Sequence, residues 1–208
     1  MMQVRRQARN NFGLATWAKW LIGVLIGLFI LTIGGLGLGA LFVWNFASQA
    51  TNPEAAQKVA ASILVLDKPL GEDYKYTMGL EIPGLFSLAS VEDETSKVTY
   101  SFIKMKAEKE GVTAEEMVEQ IASRVPTGSG ETSSMTVQGK GTMQVAGIEM
   151  PYLTGVLSSK NSDMPALLGC LMPSNDKVFL LMALNSYSES PIDVEAAGAF
   201  FSRIKAFK

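Results

Sequence analysis

The chain has 208 residues, with 18 basic and 20 acidic side chains, one cysteine and no histidine. A lone cysteine excludes an intramolecular disulfide framework, and the lack of histidine excludes His-dependent triads and the commonest metal ligand. All 20 acids lie after position 50, beside 14 basic residues; that part has net charge −6 and no Lys/Arg concentration suited to nucleic-acid phosphates.

Residues 1–19 form a basic segment with Arg5, Arg6, Arg9 and Lys19 and no acid. The apolar run 20–46 follows, and no Asp, Glu, Lys or Arg occurs between Lys19 and Glu54. A bilayer core takes about 20 apolar residues as a helix, because every backbone polar group must bond within the segment. The run therefore predicts a single transmembrane helix, with Trp17 and Trp20 at one interface and Trp44 at the other. The positive-inside bias places the N-terminus in the cytoplasm and residues 45–208 on the periplasmic or extracellular side of a cell inner membrane or its equivalent. Ser48-Gln49-Ala50 resembles a signal-peptide cleavage site, but the apolar stretch is longer than the usual h-region and favours a retained signal-anchor. Gly23 and Gly27, and Gly35 and Gly39, each stand four apart on one helix face, which permits close approach of a second membrane helix.

Residues 47–62 read as a linker or juxtamembrane helix, with Pro53 permitting a helix start after Asn52 and a turn to strand near Ile63. Residues 63–208 then read as one extracytoplasmic α+β domain. Strands are predicted over Tyr74–Leu80, Phe86–Val91 and Val98–Met105, with Glu92-Asp93-Glu94 ending the second. Thr113 and Glu116 form a capping box with Val112 and Met117 as its staple, so a helix runs to Arg124 or Val125 before Pro126. Thr127–Ser134 reads as a loop; its glycines lack the Lys and Ser/Thr of a phosphate-binding loop. Strands at Met135–Gly139 and Thr142–Ala146 are separated by a turn at Gly139-Lys140-Gly141, and Pro151–Ser158 follows after Gly147. Ala166–Met172 and Val178–Asn185 form a hairpin whose second strand, apolar nearly throughout, is central. Ser190 caps a last helix with Asp193 three residues on; Val194, Ala197, Phe201 and Ile204 form its stripe, and Lys205 and Lys208 lie near its end. Cys170, inside ALLGCLM, reads as a buried hydrophobe.

Two stretches, TMQVAGIEMPYLTG at 142–155 and KVFLLMALNSYSE with AFFSRIKAF at 177–207, give a strand–Gly turn–strand and a last strand, loop and helix. In that order the domain resembles the Mog1/PsbP-like α/β/α sandwich, an antiparallel sheet flanked by helices, over about residues 63–207. The resemblance implies a non-enzymatic protein that binds partners or accompanies a membrane assembly, although members attached to membranes are often lipid-modified and this chain shows no such signal. The expected function is a membrane-anchored, non-catalytic accessory subunit without cofactor. Its partners are membrane protein subunits, met through the Gly-rich helix and the exterior domain, and the lipid bilayer; nucleic acid is not among them. Two alternatives stand beside it. Tyr74, Tyr76, Tyr100 and Tyr152 either line a small-ligand pocket or complete the core. The abundant Asp/Glu either form a carboxylate-dependent hydrolase site or serve caps and surface, as Glu115, Glu116 and Glu119 do most simply.

Overall fold

In the computed structural model, the residues described are 51–208 apart from 108–110, 124, 127–131, 159–162, 175 and 188. The basic segment 1–19, the apolar segment 20–46 and its four paired glycines lie outside the described residues.

Helix α1 spans Pro53–Ile63 because Asn52 is extended and its side-chain oxygen accepts from the amides of Glu54 at 2.9 Å and Ala55 at 3.4 Å. Ala56, Ala60 and Ile63 repeat at helical spacing and are buried. Leu64 is already extended, so the chain turns to strand where the sequence predicts, as β1 (Leu64–Leu66). Strands β2 (Tyr74–Ile82), β3 (Phe86–Asp93) and β4 (Val98–Lys106) then form an antiparallel meander. The β2–β3 turn is tight: the Leu85 amide donates to the Ile82 carbonyl at 3.0 Å, and Gly84 has φ +78°. That backbone after Pro83 is a type II turn, which favours glycine at its third position.

Helix α2 (Ala114–Ser123) carries the predicted capping box in full. The Glu116 amide donates to Thr113 Oγ1 at 3.2 Å, and the Thr113 amide donates to Glu116 Oε2 at 3.0 Å. After the two-residue β5 (Val125–Pro126) come β6 (Thr132–Val145), β7 (Ile148–Ser158), β8 (Asp163–Ser174) and β9 (Lys177–Asn185). Helix α3 (Val194–Phe201) and β10 (Ile204–Phe207) end the chain. One sheet has the order β2-β3-β4-β9-β8-β7-β6-β5, antiparallel at every pairing, and β1 with β10 makes a separate two-stranded ribbon. Strand β9 lies between β4 and β8 and is buried on both faces, as its uninterrupted apolar run implies.

Alternate residues feed two cores. Tyr100, Phe102, Leu167, Phe179 and Leu181 meet α1 and α3 on one face; Leu168, Cys170, Val178 and Leu180 meet Val118 and Ala122 of α2 on the other. Between Met78 and Met182 on that second face, the hydroxyls of Ser90 and Ser101 sit opposite each other and bond at 2.8 Å in a buried position. Ser101→Ala strands the Ser90 hydroxyl and is expected to cost about 1–2 kcal/mol in a denaturant melt, whereas the double alanine variant recovers most of that loss.

The expected fold class is corrected. The α+β expectation gives way, among the described residues, to a mostly antiparallel-sheet architecture with three short helices of 11, 10 and 8 residues; the expected transmembrane helix lies outside the described residues. Among the described residues no helix is long and apolar enough to cross a membrane. The sequence reading undercounted strand for local reasons. Gly139-Lys140-Gly141 is not a turn but the middle of β6, irregular only at a bulge between Val137 and Gly139. A Cβ at Gly141 would lie 2.7 Å from the Tyr152 ring, and one at Gly139 would lie 2.8 Å from the Thr154 hydroxyl. These glycines therefore admit side chains from β7. Strand β6 also begins inside the expected loop, and β3 continues through Glu92 and Asp93.

The last helix is capped by Asp193, whose carboxylate accepts from the amides of Glu195 at 2.9 Å and Ala196 at 3.1 Å; Ser190 is not the cap. Ile204 belongs to β10, where pairing with β1 outweighs helical propensity. Lys208 serves the end of α1 instead of α3: its ammonium donates to the Ala61 carbonyl at 2.6 Å and its amide to Ile63 at 2.9 Å.

Candidate interaction surface

The four tyrosines do not line one pocket: Tyr100 is a member of the α1/α3-side core, and Tyr74, Tyr76 and Tyr152 pack against it. Tyr100 is buried, stacked on Phe200 at 3.8 Å and edge-on to Phe201 at 5.7 Å. Tyr74 joins the same cluster through Phe200 at 5.4 Å, with the Arg203 guanidinium 5.4 Å above its ring. Burial is the first cause that pushes the Tyr100 hydroxyl up to about 12, with the Asp93 carboxylate adding to it. Tyr76 is half-buried in a groove beside α1 and β1, near Gln57, Lys68 and Lys208, and burial raises its hydroxyl against the opposing pull of Arg203. Tyr152 lines a different cleft, between α2 and strands β6 and β7.

Among the described residues three open concavities stand out. The Tyr76 groove encloses about 330 Å³, the Tyr152 cleft about 300 Å³ and a third, at the β2–β3 turn, about 250 Å³. These volumes stand at or below the lower end of the range for small-molecule sites, roughly 300–1,000 Å³. Glu115 and Glu119 reach the Tyr152 cleft together with Lys140, while Glu116 is committed to its cap. Among the described residues no group of three or more Cys, Asp or Glu is placed to hold a metal ion.

Cys170 is fully buried in β8, and burial, followed by the Glu115 carboxylate, pushes its thiol up to about 12. It is an inert core residue in the described fold. Both Cys170 and Tyr100 hold their protons more tightly folded than unfolded, where their values are 9.0 and 10.0. Their contribution to stability is therefore complete below those unfolded values and is lost as pH rises toward about 12. Unfolding free energy measured against pH is expected to decline across that window, with native Cys170 resisting a maleimide that labels the unfolded chain.

The feature that neither core absorbs is the outer face of the β2–β3 hairpin. Met78, Leu80 and Ile82 alternate along β2, and their register partners on β3 are Ser90, Leu88 and Phe86. Gly79, on the opposite face, is covered by α1, since a Cβ there would lie 2.3 Å from the Ala56 Cα. Helix α2, the helix on this face of the sheet, packs on β6, β7 and β8. Met78, Leu80, Ile82, Leu85, Phe86 and Leu88 are members of neither core, and Met78 and Leu85 are 41% and 67% exposed. Strand β2 is also the first of the sheet, with no described strand beyond it. A contiguous apolar strip at a sheet edge is a protein-docking or membrane-facing surface, or an aggregation hazard if left bare. The Met78–Ile82 alternation signals it in the sequence, although a strand ending at Leu80 misses its last member. Gly23, Gly27, Gly35 and Gly39, the expected helix-packing positions, lie outside the described residues.

Comparison of the chain with protein-family models and with curated proteins finds no match.

Proposed function

We propose that this chain is a membrane-anchored, non-catalytic accessory subunit that docks onto a partner subunit in the same membrane through the outer face of its β2–β3 hairpin. The anchor is the charge-free run 20–46, oriented by the basic residues before it, with Gly23, Gly27, Gly35 and Gly39 available for close packing against a partner's helix. The observation that carries the docking part is the apolar strip of Met78, Leu80 and Leu88, behind the hairpin turn, that both cores leave out. Confinement to one membrane raises the effective concentration of the two partners and so lowers the affinity that the strip itself must supply.

The test is co-purification in mild detergent of wild type and a Leu80→Lys, Leu88→Lys variant. Recovery of stoichiometric companions is expected to fall about tenfold, the factor that corresponds to 1.4 kcal/mol, while the melting temperature changes little because neither residue belongs to a core. Undiminished recovery of every companion with both lysines in place would exclude the hairpin as the docking face.

A further inference from the structure

We infer that the end of the sheet carrying the β2–β3 turn rests on an anionic lipid surface and sets the orientation of the domain over the bilayer; this rests on the membrane-anchored reading above. Three observations meet at that end. The first is an exposed apolar tip: Pro83 and Gly84 fix a tight turn that holds Leu85 outward, 67% exposed, next to Ile82 and Phe86. The second is charge. Lys104, Lys106 and Lys177 line the concavity beneath the tip, and Lys106 and Lys177 stand directly opposite one another across β4 and β9. Like charges so placed repel. Asp176 offsets part of this, its carboxyl held low by the Ser174 hydroxyl first and by Lys177 and Lys106 after that. Counting Glu81 as well, the concavity is lined by three cations and two anions in a chain whose part beyond position 50 has net charge −6.

The third observation is where the chain enters. Ala56 packs over Gly79 and Ala60 lies in the groove with Tyr76, so α1 runs from the Ile82 end of β2 toward the Tyr74 end. Its first residue, Pro53, thus belongs to the same end of the sheet as Leu85 and the three lysines. Only residues 47–52 separate it from the apolar run, at most about 20 Å of extended chain. The opposite end presents Asp73, Glu92, Asp93 and Glu94 around the β3–β4 turn against two cations, Lys97, paired to Glu92 at 3.7 Å, and Lys75, opposite Glu92 across β2 and β3. An anionic bilayer repels that end and attracts the lysine end, while Leu85 enters the interface and the lysine stems extend along it.

The test uses the full-length chain in nanodiscs of phosphatidylcholine, with or without phosphatidylglycerol. An environment-sensitive fluorophore is placed on Leu85→Cys or, at the far turn, on Ser96→Cys; Cys170 is buried and takes no label. Quenching by brominated lipid is expected at position 85 and not at 96. It should weaken about fivefold in neutral discs or with Lys104→Gln, Lys106→Gln and Lys177→Gln combined. Incorporation into discs without quenching at 85 in either lipid would overturn the inference and leave the anchor standing. Equal quenching in neutral and anionic discs would overturn the role of the lysines. Protection of position 85 that requires an added partner subunit would assign the tip to protein contact instead. A chain that does not enter discs at all would overturn the anchored reading together with this one.

Discussion

Phe200→Ala is expected to lower the melting temperature of the folded domain by about 10 °C, more than any other single truncation proposed here. Phe200 is the hub of the aromatic cluster: its ring lies 3.8 Å from Tyr100, 5.4 Å from Tyr74, 5.9 Å from Phe201 and 6.1 Å from Phe102. Those partners come from two strands, β2 and β4, and from α3 itself, so the cavity has rigid walls on the sheet side and closes only if α3 slides. A buried Phe→Ala change costs about 3–5 kcal/mol, and each kcal/mol shifts a domain of this size by about 2–4 °C. Far-UV circular dichroism during heating reads the shift directly. A change of only one or two degrees would mean that α3 does not hold the sheet as the ring geometry implies.

The second large effect is at Gly79. A Cβ built there meets the Ala56 Cα at 2.3 Å and the Ala56 amide nitrogen at 2.8 Å, both main-chain atoms that no rotamer change can move. Gly79→Val must therefore lift α1 from the sheet and loosen the burial of Ala56, Ala60 and Ile63. The expected cost is about 2–3 kcal/mol. Amide hydrogen exchange should show α1 losing protection before the strands of the central sheet do. Gly71→Ala is the matched control: it has open space around it and no positive φ, and should leave both measurements unchanged.

Local chemistry was legible in the sequence, and chemistry set by distant partners was not. The Thr113–Glu116 box, the helix start after Asn52, the central position of β9 and the buried state of Cys170 depend on neighbours a few residues away or on an unbroken apolar run. Gly139 and Gly141 look like turn residues until Thr154 and Tyr152 of β7 are seen to fill the space above them. Ile204–Phe207 continues a helical stripe on paper, yet its partner is β1, far away in sequence. The dominance of strand over helix escaped for the same reason: β6 is long only because β7 supplies its ladder.

The hairpin surface shows a further limit. Alternation in β2 reveals an apolar face but cannot reveal that α2, ten residues long, packs on β6, β7 and β8 instead of on the hairpin. The four tyrosines illustrate the converse. Composition groups them as candidate pocket residues, whereas pleat and helix packing send Tyr100 inward and leave Tyr76 and Tyr152 beside separate shallow grooves.

Vesicle flotation of the intact chain probes the proposal at its root, since every contact suggested for the hairpin presupposes retention at a lipid surface by residues 20–46. After high-salt and urea washes the protein should rise with the vesicles through a density gradient and leave them only when detergent is added. Intact chain that stays at the bottom of the gradient, monodisperse and free of lipid, would contradict the account.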